Sequence, residues 1–229
     1  MKRLIFLLAT CIVFCTCDSG DIYPPDDSAG TYSVKVELLL QSVNTIPTTR
    51  ERKLLVAAFD NTSEMPVRSQ RISTAQESQT LTVTLDKVPD TATKIRLILT
   101  DQGANTIFTF AEADVSDGYA NLGKVNLLSY DRLQEQLFTP SCIACHSAAN
   151  PTKGLNLEAG ASYAMIVGKP SQTMPELSLI APYDTTKSYL YHKLMQFDGD
   201  GYNHTTLTTL KQNDITLLGE WIMAGAVNQ

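Results

Sequence analysis

The hydrophobic pattern of this chain changes its period once, close to residue 128, and that change limits the folds available to it. From residue 32 onward, apolar side chains recur at every second position in three clear runs, at 34–40, 81–85 and 95–99. This alternation is typical of β-strands that bury one face. Short turn-forming segments separate the runs, so we expect antiparallel strands arranged as a sandwich of six to seven strands.

Beyond residue 128 the apolar side chains recur at helical spacing. Tyr130, Leu133, Leu137 and Phe138 fall on one helical face, and Ser129 precedes them as a candidate N-cap. A second such face, formed by Ile215, Leu218, Trp221 and Ile222, lies near the C-terminus. There the sequence predicts a helix that is capped by Asn213 and ends at Gly225.

These patterns predict a two-domain α+β chain. The N-terminal domain, residues 32–128, is expected to be an all-β immunoglobulin-like sandwich, and residues 129–229 an all-α domain. The sandwich segment contains no His and no Cys, and its acidic residues are scattered. We therefore expect the chemistry of the protein to lie in the helical domain.

The first 31 residues have the composition of an export signal and a linker. Lys2 and Arg3 precede an apolar run that is too short to span a bilayer comfortably, and Cys17 follows that run. The arrangement resembles a bacterial lipoprotein signal, which implies a signal peptide over 1–17, a lipid on Cys17 and a flexible tether over 18–31. The alternative is an ordinary cleaved signal peptide. Either interpretation predicts an exported protein of the cell envelope, and the lipoprotein interpretation predicts the outer membrane, with a periplasmic or surface face.

The charge and the cysteine content limit the possible binding partners and the number of free thiols. The formal net charge is −6 and no stretch concentrates Lys and Arg, so the sequence gives no basis for nucleic-acid binding. Of the five cysteines, three lie in the first 17 residues. Only Cys142 and Cys145 would remain as thiols in a mature exported protein.

The motif Cys142-Ile143-Ala144-Cys145-His146 is the strongest chemical signal in the chain. Two thiols at this spacing can bond to the two vinyl groups of one haem, and the adjacent histidine can then bind the iron. The sequence therefore predicts one covalent haem c, held by Cys142 and Cys145, with His146 as the proximal iron ligand.

Three other uses of the cysteines remain open at this level. A redox dithiol needs a βαβ context, which this region lacks. Zinc could take Cys142, Cys145 and two of His146, His192 and His204. A simple disulfide would leave the histidine without a role.

Residues 129–227 resemble a small class I cytochrome c domain of the kind appended to exported bacterial lipoproteins. The resemblance rests on the segments "LFTPSCIACHS", "GLNL", "KSYLYHKL" and "LKQNDITLLGEWIMAGA". It implies that the first and last helices cross and pack aromatic side chains near the haem, and Phe138 and Trp221 are the residues that could do so here.

The same resemblance implies an axial methionine in the loop before the last helix, but that loop has none. His204 lies close to the expected position and is our candidate for the distal ligand. Met195 and Met174 are the alternatives, and His192 could reach a haem propionate. A further alternative is an iron whose sixth coordination position holds water or is empty.

We therefore expect a membrane-anchored c-type cytochrome that exchanges single electrons with redox protein partners. One alternative is a haem enzyme or sensor with an open iron site, such as a peroxidase-like activity. Another is a surface binding module in which the haem is auxiliary.

Overall fold

The computed structural model describes residues 32–46, 52–73, 75–196 and 201–228. The predicted signal peptide over 1–17, its Cys17 and the tether over 18–31 lie outside the described residues. The described chain is an α+β fold with two β-sheets followed by short helices, so the α+β prediction is confirmed at that level.

In the part of the first half that the structure describes there are seven strands: β1 (Tyr32–Gln41), β2 (Lys53–Phe59), β3 (Arg68–Arg71), β4 (Thr80–Val88), β5 (Lys94–Thr100), β6 (Thr106–Asp114) and β7 (Tyr119–Asn126). One sheet has the order β4-β1-β7 and the other β3-β2-β5-β6. Alternate residues of both sheets contribute to one hydrophobic core, as the period-two pattern predicted. Val34, Val36 and Leu38 of β1, for example, are almost completely buried.

The prediction that all strands pair antiparallel is wrong for one pair, because β1 and β7 run parallel. The other pairs are antiparallel: β1 with β4, β2 with β3 and β5, and β5 with β6. A parallel pair needs a crossover connection, and here the chain between β1 and β7 includes the whole second sheet.

The described residues of the second half include five α-helical segments: α1 (Tyr130–Leu133), α2 (Thr139–Ser141), α3 (Ser162–Ile166), α4 (Tyr189–Met195) and α5 (Gln212–Met223). A π-helical segment, Gln134–Phe138, joins α1 to α2, so residues 130–141 form one helical run. Short 3₁₀ turns lie at Val43–Thr45, Thr152–Gly154, Thr185–Lys187 and His204–Thr206. Apart from α5, the helices are short, and turns and isolated bridges connect them.

The helix ends agree with the sequence in part. Ser129 caps α1, with its Oγ accepting a hydrogen bond from the Arg132 amide at 3.2 Å. Gly225 follows the last residues of α5 with φ +101°, as expected for a terminating glycine. The predicted cap at Asn213 is wrong, because α5 already begins at Gln212 with Lys211 at the N-cap position.

Buried polar side chains join the two halves. Arg132, only 1% exposed, donates to the Thr45 hydroxyl at 3.0 Å and to the Thr45 carbonyl at 3.1 Å. Arg52 donates to Gln136 at 2.7 Å and to Asp214 at 2.6 Å. The two-sheet half is therefore bonded both to the helical run 130–141 and to α5.

Candidate functional site

The CxxCH motif forms a tight turn at the end of the helical run 130–141. The Cys142 amide still donates to the Phe138 carbonyl at 2.9 Å. The Cys145 and His146 amides both donate to the Cys142 carbonyl, at 3.1 and 2.9 Å. This turn fixes the two thiols and the imidazole relative to one another. The π-helical segment just before it adds a residue to the helical turn, a distortion that is frequent at functional sites.

Both motif cysteines are free thiols. Cys142 is partly buried, its Sγ lies 3.7 Å from the Leu137 carbonyl, and burial raises its pKa to about 12. Cys145 is exposed to solvent. A thiolate at Cys142 is therefore unfavourable in this environment, which disfavours a reactive redox dithiol.

A backbone hydrogen bond fixes the tautomer of His146. Its Nδ1 lies 3.1 Å from the Thr152 carbonyl oxygen, which can only accept, so Nδ1 carries the proton. The loop that supplies this carbonyl is itself bonded to the motif, because the Thr152 amide donates to the Cys145 carbonyl at 3.1 Å. Burial lowers the pKa of His146 more than this hydrogen bond raises it, which favours the neutral ring. Its Nε2 is then the nitrogen that presents a lone pair.

The His204 ring faces the His146 ring, although 58 residues separate them. Their centroids are 6.2 Å apart and their planes differ by 18°. His204 begins a 3₁₀ turn capped by the Asn203 side chain, and its Nδ1 lies 3.0 Å from the Tyr202 carbonyl. The Tyr202 ring stands edge-on to the imidazole at 5.3 Å. The structure thus brings together two of the histidines that sequence reasoning identified.

The remaining candidate ligands lie at less enclosed positions. Met174 is 37% exposed in the loop that follows α3, and Met195, at the end of α4, is 49% exposed. His192 is half-buried on α4. Within the ranges that the structure describes, no group of three or more His, Cys, Asp or Glu side chains converges to hold a metal. The four-ligand zinc arrangement is therefore not formed by these residues.

Phe138 and Trp221 are completely buried in the core of the helical half. Tyr130 lies between them, with ring centroids 5.3 Å from Trp221 and 6.1 Å from Phe138. Tyr163 stands edge-on to Tyr130 at 5.1 Å. Sequence reasoning recognised the apolar face of the first helix, but it did not identify Tyr163 as part of this aromatic cluster, because no local pattern connects the two positions.

The helical half carries most of the exposed apolar side chains. Eight large apolar residues are exposed among the described residues, and all of them except Met65 lie between residues 165 and 227.

Compared with known proteins, the chain matches no family model, no curated protein and no solved structure. Within the part of the chain that the structure describes, no helix has both the length and the apolar character needed to cross a bilayer. The functional argument therefore rests on the geometry of the site.

Proposed function

We propose that this protein is a c-type cytochrome that carries single electrons through one haem bound covalently to Cys142 and Cys145. The observation that carries the proposal is the CxxCH turn, in which backbone hydrogen bonds hold both thiols beside a histidine whose Nδ1 is committed to the Thr152 carbonyl. Metal-binding histidines usually donate their second ring nitrogen in this way, and it fixes the orientation of the ring.

The residues of the site have separate roles. Each thiol would add across one vinyl group of a haem, so that a sulfur–carbon bond forms and the thiol proton goes to the other vinyl carbon; no oxidant is needed. His146 would supply Nε2 to the iron. A haem held by these residues would supply a one-electron iron couple for exchange with redox partner proteins. The buried aromatic cluster around Phe138 and Trp221 would keep water from the haem side of the core.

The finer architecture belongs to the same proposal. Residues 129–229 would form a class I cytochrome c domain, with Phe138 and Trp221 near the haem, and residues 32–128 an immunoglobulin-like sandwich. Cys17 would carry a lipid that holds the protein at the cell envelope, where its partners are redox proteins. Two sheets that share one core, and a first and a last helix that meet through Tyr130, support this arrangement.

The test is to express the full chain together with a cytochrome c maturation system and to measure covalent haem by mass and by visible absorbance. The wild type should gain one haem, and the Cys142→Ala/Cys145→Ala variant should gain none. Cys17→Ala is the matched control, because it removes a cysteine outside the motif and should keep the haem. A wild type without covalent haem, or a double variant that retains it, would overturn the proposal.

A further inference from the structure

The separation of the His146 and His204 rings matches that of two imidazoles bound to one metal. A bond between a metal and an imidazole nitrogen is about 2.0 Å long, and a ring nitrogen lies about 1.1 Å from the ring centroid. Two imidazoles on opposite sides of a metal therefore have centroids about 6.2 Å apart when both bonds are in line. The measured separation is 6.2 Å, with the planes only 18° from parallel.

A direct contact between the rings would give a different distance. A hydrogen bond of about 3.0 Å between one nitrogen of each ring would bring the centroids to about 5.2 Å. The observed separation is about 1 Å too long for such a hydrogen bond. Two arrangements of nearly parallel rings fit it: offset stacking, or rings in line with one atom between their nitrogens. The CxxCH motif beside His146 favours the second arrangement.

One hydrogen bond has the same form in both rings. In each case Nδ1 lies within hydrogen-bond distance of a backbone carbonyl, Thr152 for His146 and Tyr202 for His204. A carbonyl can only accept, so Nδ1 carries a proton in both rings. Nε2 is then the nitrogen through which either ring would bind a metal.

The two rings provide only two ligands. Among the described residues no third His, Cys, Asp or Glu joins them, so a chelate or water would have to supply the other ligands of a metal between them. A planar tetradentate chelate such as a porphyrin leaves two axial positions, one on each face. The neighbouring thiols Cys142 and Cys145 would bind this chelate covalently.

We propose that His204 is the distal axial ligand of the haem iron, opposite His146; this inference rests on the proposed function. Replacing the thioether ligand by imidazole lowers the reduction potential, because thioether sulfur favours the ferrous state. With both axial positions filled by side chains, a substrate has no open position on the iron. His204 therefore favours electron transfer over the open-iron enzyme or sensor.

The experiment compares wild type, His204→Ala and His192→Ala, each with its covalent haem content measured first. Wild type should be low-spin in both oxidation states and lack the sulfur-to-iron band at the red end of the oxidised spectrum. His204→Ala should become high-spin when oxidised and should bind carbon monoxide when reduced. Added imidazole should restore its low-spin spectrum, which shows that the variant is folded. His192→Ala, the histidine control, should stay low-spin, because a contact with a haem propionate would not change the ligands of the iron.

Each contrary result has a distinct meaning. A sulfur-to-iron band in wild type would overturn the His204 assignment in favour of Met195 or Met174. A His204→Ala spectrum identical to wild type would also overturn it. High-spin wild type that binds carbon monoxide would overturn it in favour of an open site. Absence of covalent haem in wild type would instead refute the proposed function itself. As a further readout, His204→Met should raise the midpoint potential.

Discussion

Arg52 and Asp214 form an ion pair across the junction between the two halves, with Nη2 2.6 Å from Oδ1. The two side chains are only 11% and 3% exposed. The same guanidinium donates from Nη1 to Gln136 at 2.7 Å. Arg52 therefore holds both the helical run that leads into the CxxCH turn and the helix that follows the His204 segment.

Removing Arg52 should destabilise the protein substantially. Arg52→Ala leaves the Asp214 carboxylate buried without its cation, and loss of one partner of a buried pair costs about 3 kcal/mol. Asp214→Asn in the same chain should recover part of this loss, because a neutral amide needs no counterion. Urea unfolding of the two single variants and the double variant gives the coupling energy directly. Lys35→Ala, which breaks an exposed ion pair with Glu37, is the control and should leave the unfolding midpoint nearly unchanged.

The cost of Arg52→Ala should also depend on pH. Burial raises the pKa of Asp214 above its ordinary value, and Arg52 partly opposes that rise. In Arg52→Ala the pKa rises further, so the folded state holds a proton that the unfolded state has released. Stability of the variant is then retained below the unfolded pKa of about 3.9 and lost as the pH rises through the folded pKa. Unfolding midpoints between about pH 4 and about pH 7 should separate from wild type as pH increases. With Asp214→Asn added, this pH-dependent part should disappear.

Gly225→Ala should lower the stability of the protein more than the same substitution at another glycine with positive φ. At φ +101° an added Cβ would lie 2.6 Å from the Tyr183 ring, so the substitution combines backbone strain with a steric clash. Gly168→Ala is the matched control, because Gly168 has φ +66° and an added Cβ there meets no atom within 4 Å. It isolates the backbone contribution to the loss of stability, about 1–2 kcal/mol. Thermal unfolding should place Gly225→Ala below Gly168→Ala. Equal midpoints would mean that Tyr183 moves aside without cost.

Trp221 should report haem attachment, because it is the only tryptophan of the chain. It is fully buried, and its indole donates to the Val227 carbonyl at 2.9 Å. In the haem-free Cys142→Ala/Cys145→Ala variant its emission should be strong and typical of a buried indole. In the haem-loaded protein, energy transfer to a nearby haem should quench it, and urea unfolding should partly restore it. Equal emission from the two folded proteins would contradict the placement of Trp221 near the haem.

Local patterns predicted the strands but could not predict how all of them pair. Six of the seven strands carry apolar alternation or β-prone apolar runs that are visible in the sequence. The missed strand, β3, reads Arg-Ser-Gln-Arg and is an edge strand, so backbone pairing with β2 forms it without a buried apolar face. The parallel β1–β7 pair depends on the path of the whole first half, which no short segment encodes.

The candidate site, like the fold, was predictable only where the residues involved are close in sequence. Cys142, Cys145 and His146 are adjacent in sequence, so their chemistry was predictable from spacing alone. The junction side chains were not, because Arg132 contacts Thr45 across 87 positions and Arg52 contacts Asp214 across 162. A charged residue on a predicted helix is expected to face solvent, and only tertiary contacts reveal that Arg132 and Asp214 are buried.

The parallel pairing of β1 with β7 also determines how far Tyr32 lies from the start of the helical half. Gln41 at the end of β1 pairs with Asn126 at the end of β7, two residues before the helical half, whereas Tyr32 lies at the other end of β1. Ten residues of β-strand extend about 33 Å. If the segment before Tyr32 is anchored to a membrane as proposed, the two sheets are a spacer of that length between the bilayer and the helical half. Together with the tether predicted over 18–31, this spacer would let the haem stand well away from the lipid headgroups, which favours exchange with a protein that projects from the membrane or diffuses beside it over one confined to the bilayer.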